Sequence, residues 1–273
     1  MVSMKEGYIS SEGYRVHHVR WGDEGPKVLL IHSMGMDGHS MDRLAESLED
    51  DYQILSLTIL DHGDSDPPRG AISLPEHTEV MRGCYKQLGF TPNVLVGHSV
   101  GGMMGMVLTA EHPEEFKGLM LVDIAPFELT GRRSRPEPPE SFRDEAEALE
   151  WLRERYPLFT DYYYENRLRH TFRREGDVLR LKPRGDRVRG GLATDLWPYV
   201  ERIETPTLLL KGEQSDLVAP KVLRRMEEAM PDLEVVEVEN ASHMIPQDAP
   251  DEFEGLVRGF LQKVYRTPDP VRG

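Results

Sequence analysis

The stretch from Asn93 to His112 constrains this chain more than any other. Asn93 to Val96 is a short apolar run rich in β-branched residues and reads as a buried strand. Met103 to Ala110 holds good helix formers and no proline, and reads as a buried helix. Between them stands Gly97-His98-Ser99-Val100-Gly101. So short a passage from strand to helix holds its central serine in a strained backbone and pushes the hydroxyl out above the sheet edge. Neighbouring backbones pass close by, so the flanking positions must be nearly bare, and Gly97 and Gly101 meet that demand. The turn also puts Ser99 at a helix N-terminus, where free N–H groups and the dipole favour an oxyanion. The plain alternative is a serine that caps a core helix. In its strand–turn–helix setting the pentapeptide marks Ser99 as the candidate nucleophile.

A regular alternation surrounds that unit. Strands are expected at Gly7–Ile9, Tyr14–Arg20, Lys27–Ile31, Tyr52–Ile59, Lys117–Val122, Thr207–Leu210 and Leu233–Val238. Helices are expected at Ser40–Leu48, Leu74–Leu88, Lys221–Met230 and Asp251–Val264. Such alternation indicates an α/β fold, a mostly parallel sheet flanked by helices. The rhythm breaks at Pro126. From there to Arg202 the chain carries clustered prolines (Pro136, Pro138, Pro139), many arginines and the run Tyr162-Tyr163-Tyr164. Helices are expected in it at Ser141–Arg155, Tyr162–Arg173 and Ala193–Val200, with a short β segment near Val178–Lys182. The expected organisation is a core of residues 1–125 and 203–265, an inserted cap of residues 126–202, and a loose tail of residues 266–273.

Charge and cysteine usage narrow the function classes. With 33 Lys+Arg against 48 Asp+Glu the net charge is −15, which speaks against nucleic acid or an anionic membrane as partner. Cys84 is the single cysteine, so neither a disulfide framework nor a thiolate metal cluster is available. Met1 to Tyr14 has no apolar core of signal-peptide length, and no stretch approaches a membrane span; a cytoplasmic protein is expected.

A serine hydroxyl is a poor nucleophile until a base activates it, and the base needs a third group to orient it. Asp216, in the loop after Thr207–Leu210, and His243, after Leu233–Val238, both lie at the C-terminal ends of strands, the edge that carries Ser99. Asp123, at the end of its own strand, is the alternative acid. Asp61 and His62 with Asp64 lack the second nearby histidine a zinc site wants, so neither metal nor cofactor is expected. His98 is expected to point away from the site. Met34, Met36, Met103, Met104 and Met106 offer a soft apolar lining. Tyr163 and Trp197 are assigned to the cap side of the substrate pocket.

Over nearly its whole length the sequence resembles the α/β-hydrolase fold family. The matching pieces are Leu30-Ile31-His32, Asp61 to Ser65, Gly97 to Gly101, Gly212 to Asp216 and Ala241-Ser242-His243. The resemblance implies Ser99 as nucleophile, His243 as general base and Asp216 as its partner. It implies an oxyanion hole from the backbone N–H groups of Met34 and Val100, and a helical cap in the insertion. The family's usual His-Gly reads His32-Ser33 here; the turn is expected to tolerate the side chain, which places Ser33 in the pocket. The implied activity is hydrolysis of a small carboxylic ester or lactone through an acyl-enzyme, that molecule being the partner. Carbon–carbon bond hydrolases and cofactor-free haloperoxidases share the triad, and some members are non-catalytic small-molecule receptors. Epoxide hydrolases and haloalkane dehalogenases use an aspartate nucleophile, and Ser99 argues against them.

Overall fold

The computed structural model describes residues 4–126 and 137–266. β1 (Lys5–Ser11) and β2 (Tyr14–Trp21) form a hairpin around Glu12 and Gly13, followed by β3 (Lys27–Ile31), α1 (Asp42–Leu48) and β4 (Gln53–Leu57). Next come α2 (Leu74–Gln87), β5 (Asn93–His98), α3 (Val100–Glu111) and β6 (Phe116–Val122). The chain then leaves the sheet for α4 (Glu145–Arg155), α5 (Asp161–Thr171), the strands β7 (Phe172–Glu175) and β8 (Val178–Leu181), and α6 (Trp197–Val200). It returns with β9 (Thr207–Gly212), α7 (Pro220–Ala229), β10 (Leu233–Val238), α8 (Ile245–Asp248) and α9 (Pro250–Arg266).

Eight strands make one sheet in the order β1-β2-β4-β3-β5-β6-β9-β10, antiparallel at the β1–β2 and β2–β4 pairs and parallel beyond. Successive side chains of a strand point to opposite faces, and the buried apolar runs divide accordingly. Leu29, Ile31, Leu95, Leu119, Leu121 and Leu209 pack with α2, α3 and α7 on one face. Val28, Leu30, Val94, Val96, Met120, Leu208 and Leu210 pack with α1 and α9 on the other. α2 starts where it does because Ser73 and Glu76 form a reciprocal capping box: the Glu76 carboxylate accepts from Ser73 N at 2.9 Å, and the Ser73 hydroxyl accepts from Glu76 N.

Glu115, just before β6, ties α2 to the sheet. Its carboxylate accepts from the Tyr85 hydroxyl at 2.6 Å, Arg82 Nη2 at 2.7 Å and Lys86 Nζ at 2.8 Å. Burial alone would raise its pKa, but Arg82, Lys86 and Tyr85 outweigh burial and lower it to about 2. Glu115→Gln is expected to cost about 2 kcal/mol in urea unfolding at neutral pH, less than a fully buried ion pair because Arg82 and Lys86 remain partly hydrated. A carboxylate whose folded pKa is depressed stabilises above its ordinary pKa of 4.5 and loses that contribution as pH falls toward about 2. The gap between wild type and variant should therefore close over that acid range.

The segment between β6 and β9 is inserted between two strands that pair directly, Leu119 opposite Thr207. Residues 127–136 at its start and 267–273 of the expected tail lie outside the described residues; Arg266 is the last residue of α9, not part of a tail. Two expected helices are shorter than the sequence pattern suggests, for one reason. Phe172–Glu175 turns over Gly176 (φ 60°) and pairs with Val178–Leu181, so α5 stops at Thr171 rather than Arg173. Phe142 exchanges two backbone hydrogen bonds of 2.8 Å with Leu179, which keeps Ser141–Arg143 out of α4; Asp144 caps that helix instead. The expected Ala193–Val200 helix shrinks to Trp197–Val200, with Pro198 in its first turn, where the missing N–H is harmless. Phe142, Leu152, Tyr156, Phe159, Tyr163 and Phe172 share a cluster with Met36 and Met244, which seats the insertion on loops at the strands' C-terminal ends.

Candidate functional site

From β3 the chain moves to β4 on one side, and from β5 to β6 on the other. The loops leaving β3 and β5 therefore diverge and open a crevice at the C-terminal edge of the sheet. Ser99 stands in it between β5 and α3, 6% exposed, at φ 54° and ψ −114°. For a non-glycine residue that backbone costs about 1–3 kcal/mol and persists only where the surroundings enforce it. They do. The Ser99 N–H donates to the Val122 carbonyl at 3.0 Å and its own carbonyl accepts from Met103 N at 3.0 Å. A Cβ on Gly101 would stand 2.1 Å from the Ile31 carbonyl oxygen, and one on Gly97 2.5 Å from that of Gly101. Gly101→Ala is expected to cost upwards of about 3 kcal/mol in thermal unfolding, since overpacking among side chains already costs about 1–3 and the obstacle here is backbone. Gly259→Ala, where a Cβ meets nothing within 4 Å, is the control and should stabilise slightly.

His243 follows β10. Its loop is pinned by Asp248, which accepts from Ser242 N at 2.9 Å and from the Ser242 hydroxyl. Asp123 follows β6 with its carboxylate fully buried and at φ 47°. His243 Nδ1 lies 2.7 Å from Asp123 Oδ2, which also accepts from the Ser215 hydroxyl at 2.5 Å, while Oδ1 accepts from Gly212 N at 3.1 Å. Burial would raise the Asp123 pKa, but the His243 ring, the Ser215 hydroxyl and the Gly212 N–H hold it below the ordinary carboxylate value.

This corrects the expected acid. Asp216 is exposed, and the carboxylate that meets His243 belongs to Asp123. The loop after β9 closes with Ser215 N donating to the Gly212 carbonyl at 3.0 Å, which turns the Ser215 side chain inward to Asp123 and leaves the next residue facing water.

The loop after β3 is set by His32. Its Nε2 accepts from Ile59 N at 3.0 Å, so the proton sits on Nδ1, which donates to the Ser33 carbonyl at 2.8 Å. Burial lowers the His32 pKa to about 4, so the ring is neutral. The Ser33 carbonyl also accepts from Met36 N at 3.1 Å. In a trans peptide the N–H points opposite to the C=O, so anchoring the Ser33 carbonyl aims the Met34 N–H the other way. Val100 opens α3, where first-turn N–H groups have no acceptor within the helix. Ser33 is buried without a positive φ; the left-handed position in this turn is Gly35 at φ 78°, which is why the turn accepts a side chain at residue 33.

Three other residues fall differently from expectation. His98 does not turn away: its Nε2 donates to the His243 carbonyl at 2.8 Å, and the two rings lie 5.0 Å apart. Burial lowers the His98 pKa to about 3, which keeps it neutral for that task. Its place inside Gly-x-Ser-x-Gly is the only sequence signal it carries. Tyr163 is 1% exposed among Phe159 and Tyr162, with Glu254, Asp42 and Arg43 as its charged neighbours, so it belongs to the seam with α1 and α9 rather than to a pocket wall. Trp197 packs on the core beneath α7, its ring covered by the Arg225 guanidinium 3.7 Å from the centroid.

Among the described residues three side-chain groups have metal-compatible spacing: Glu6 with His17 and His39, His39 with Asp42 and His170, and His112 with Glu114 and Glu115. None includes Ser99, His243 or Asp123. Asp61 and Asp64 are used otherwise, Asp61 accepting from Arg187 N at 2.8 Å and Asp64 pairing with Lys182 at 2.5 Å, contacts that fasten the insertion to the core. No helix among the described residues is long and apolar enough to cross a membrane.

Residues 26–250 match the model of the alpha/beta hydrolase fold family. A 2-(acetamidomethylene)succinate hydrolase of Mesorhizobium japonicum is 24% identical over 252 residues, which cover 89% of this chain and 91% of that protein. The sn-1-specific diacylglycerol lipase ABHD11 of Mus musculus is 27% identical over 258 residues, covering 86% and 81%. A crystal structure of E-2-(acetamidomethylene)succinate hydrolase superposes with a TM-score of 0.85 at 22% identity, covering 95% of this chain and 99% of that one, a likeness of fold.

Proposed function

Because this chain belongs to the α/β-hydrolase fold family, we propose that it is a serine hydrolase of small carboxylic esters or lactones that works through an acyl-enzyme. The observation that carries the reading is the 2.7 Å contact between His243 Nδ1 and the buried Asp123 carboxylate, on the same sheet edge as the strained Ser99. In the proposed cycle Asp123 accepts from Nδ1–H and so leaves His243 Nε2 free to act as base. Ser99 Oγ attacks the substrate carbonyl carbon as Nε2 takes its proton. The N–H groups of Met34 and Val100 receive the negative charge that develops on the carbonyl oxygen. His243 returns the proton to the departing alkoxide, the C–O bond breaks, and the acyl group stays on Ser99. A water molecule then gives a proton to His243 and attacks the acyl carbon; the acid leaves and Ser99 recovers its hydrogen.

The same steps open an amide if His243 protonates the leaving nitrogen. The Mesorhizobium relative, named for a substrate with an acetamido group, favours this as a second reading, while the diacylglycerol lipase favours the ester. A panel of 4-nitrophenyl esters, lactones and matched 4-nitroanilides tests both. Turnover of esters or lactones with a burst of 4-nitrophenol supports the first. Turnover of anilides alone supports the second, and inertness toward all of them contradicts a serine hydrolase.

A further inference from the structure

Beside the loop after β3, the insertion encloses two guanidinium groups that have no ion-paired carboxylate among the described residues. Arg167 of α5 is 2% exposed. Its guanidinium donates to the Met36 sulfur at 2.8 Å and to the Gly35 carbonyl at 3.3 Å, and its Nε has no hydrogen-bond partner among the described residues. Arg184, between β8 and α6, is half-buried, and its Nε is likewise enclosed without a partner. A Cβ on Gly35 would stand 3.5 Å from Arg184 Nη2. Two guanidiniums thus bracket Gly35, the residue next to Met34.

Tyr156 lies in the same cluster, 7% exposed, with the guanidinium carbons of Arg155 and Arg167 each 5.9 Å from its ring centroid. Burial alone would raise the pKa of its phenol, yet Arg167, Arg184 and Arg155 outweigh burial and hold it below the ordinary value. Burial, together with Arg167 and Arg155, lowers the pKa of Arg184 against the opposing pull of Tyr156 and Asp186. The carboxylate that feels Arg167 is Asp37, and its oxygens are taken by His39 N at 3.0 Å and the Thr171 hydroxyl at 3.3 Å. Among the described residues no carboxylate forms an ion pair with Arg167 or Arg184. A guanidinium out of water is costly unless an anion meets it. Met36 and Met244, neighbours of the Met34 loop and of His243, belong to the apolar cluster that holds Tyr156, and the Arg167 guanidinium donates to the Met36 sulfur, so this charge lies against the loop after β3.

We propose that Arg167 and Arg184 form a seat for a carboxylate on the substrate, which makes the substrate class an acyl derivative of a short dicarboxylic acid. The inference rests on the hydrolase reading above and adds its specificity. A planar guanidinium presents paired N–H donors that match the two oxygens of a carboxylate, and a carboxylate supplies the missing negative charge. Seated beside Gly35, it fixes the acyl chain relative to the Met34 N–H.

The experiment has two arms. In the first, kcat/KM is measured for mono-4-nitrophenyl succinate and glutarate against neutral 4-nitrophenyl esters of equal chain length, after subtraction of spontaneous hydrolysis. Wild type should prefer the anionic esters by at least about 30-fold, and the preference should collapse in Arg184→Met and survive in part in Arg184→Lys, which keeps the charge. In the second, calorimetry follows succinate and glutarate binding to Ser99→Ala, which should bind them and weaken at least about 30-fold when Arg184→Met is added. Hydrolysis of neutral esters without anionic preference, and no binding of either dicarboxylate, overturns the carboxylate seat and leaves the hydrolase standing. Arg184-dependent binding of a dicarboxylate without turnover of any ester or anilide supports the seat and removes the hydrolase reading. The preference and the binding are read on chains that keep Arg184, so a misfolded Arg184 variant does not blunt the test.

Discussion

Ser99→Ala is expected to lower kcat for ester hydrolysis by about 10⁶, because the members of a triad act as a unit and loss of the nucleophile removes nearly all that the unit supplies. What remains, about 10³ above the uncatalysed rate, is expected from carbonyl polarisation at the proposed Met34 and Val100 N–H donors and from binding. Folding should survive the change. The elbow is held by the Ser99 main chain, through Val122 and Met103, and by the bare Gly97 and Gly101, none of which involves the hydroxyl. Steady-state kinetics with thermal melts of both proteins check this together. Near wild-type turnover in a folded variant would make the serine a structural turn residue.

Asp123→Asn is expected to cost about 10⁴ in kcat, whereas Asp216→Asn should leave kcat within about threefold of wild type. The asymmetry follows from position. Asp123 accepts from His243 Nδ1 and so keeps the proton off Nε2, the nitrogen proposed as the base. An asparagine presents an amide N–H to Nδ1 with equal ease, and the tautomer that then dominates carries its proton on Nε2, where it cannot act as a base. Asp216 stands in water beyond the turn and holds no part of that ring. Ser215→Ala should fall between the two, since it removes one donor that steadies the Asp123 carboxylate and leaves the tautomer correct. Matched kcat values at one pH for the three variants give the ranking, and the reverse order of the two aspartates would move the acid to the loop after β9.

The core sheet was legible because its evidence is local. Runs such as the buried Lys27–Ile31 and the half-buried Leu233–Val238 appear as strands at the very residues their apolar pattern marks. The strained turn at Ser99 was legible for a related reason: a stretch flanked by bare glycines and set between a strand and a helix has few backbone solutions. The acid was not. Asp123 follows β6 and Asp216 lies in the loop after β9 at the same edge, and the choice turns on whether Ser215 or Asp216 faces inward, a matter of one residue's rotation in a loop. His98 was misread because its partner, the His243 carbonyl, is 145 residues away. Tyr163 and Trp197 looked like pocket walls because aromatic content does not say which side of an inserted segment faces the core. Their places went to α1, α9 and α7 instead. The β7–β8 hairpin, too, rests on pairing with Phe142, a contact with no local signature.

The proposed cycle requires that Ser99, served by His243 and Asp123, becomes acylated. Intact-protein mass spectrometry during reaction with a slowly released 4-nitrophenyl ester, followed by peptide mapping, tests it most directly. One acyl group per chain is expected, carried on Ser99, absent from Ser99→Ala, and formed far more slowly in Asp123→Asn than in Asp216→Asn. An acyl group on another residue, or steady turnover with Ser99 unmodified at every time point, would contradict it.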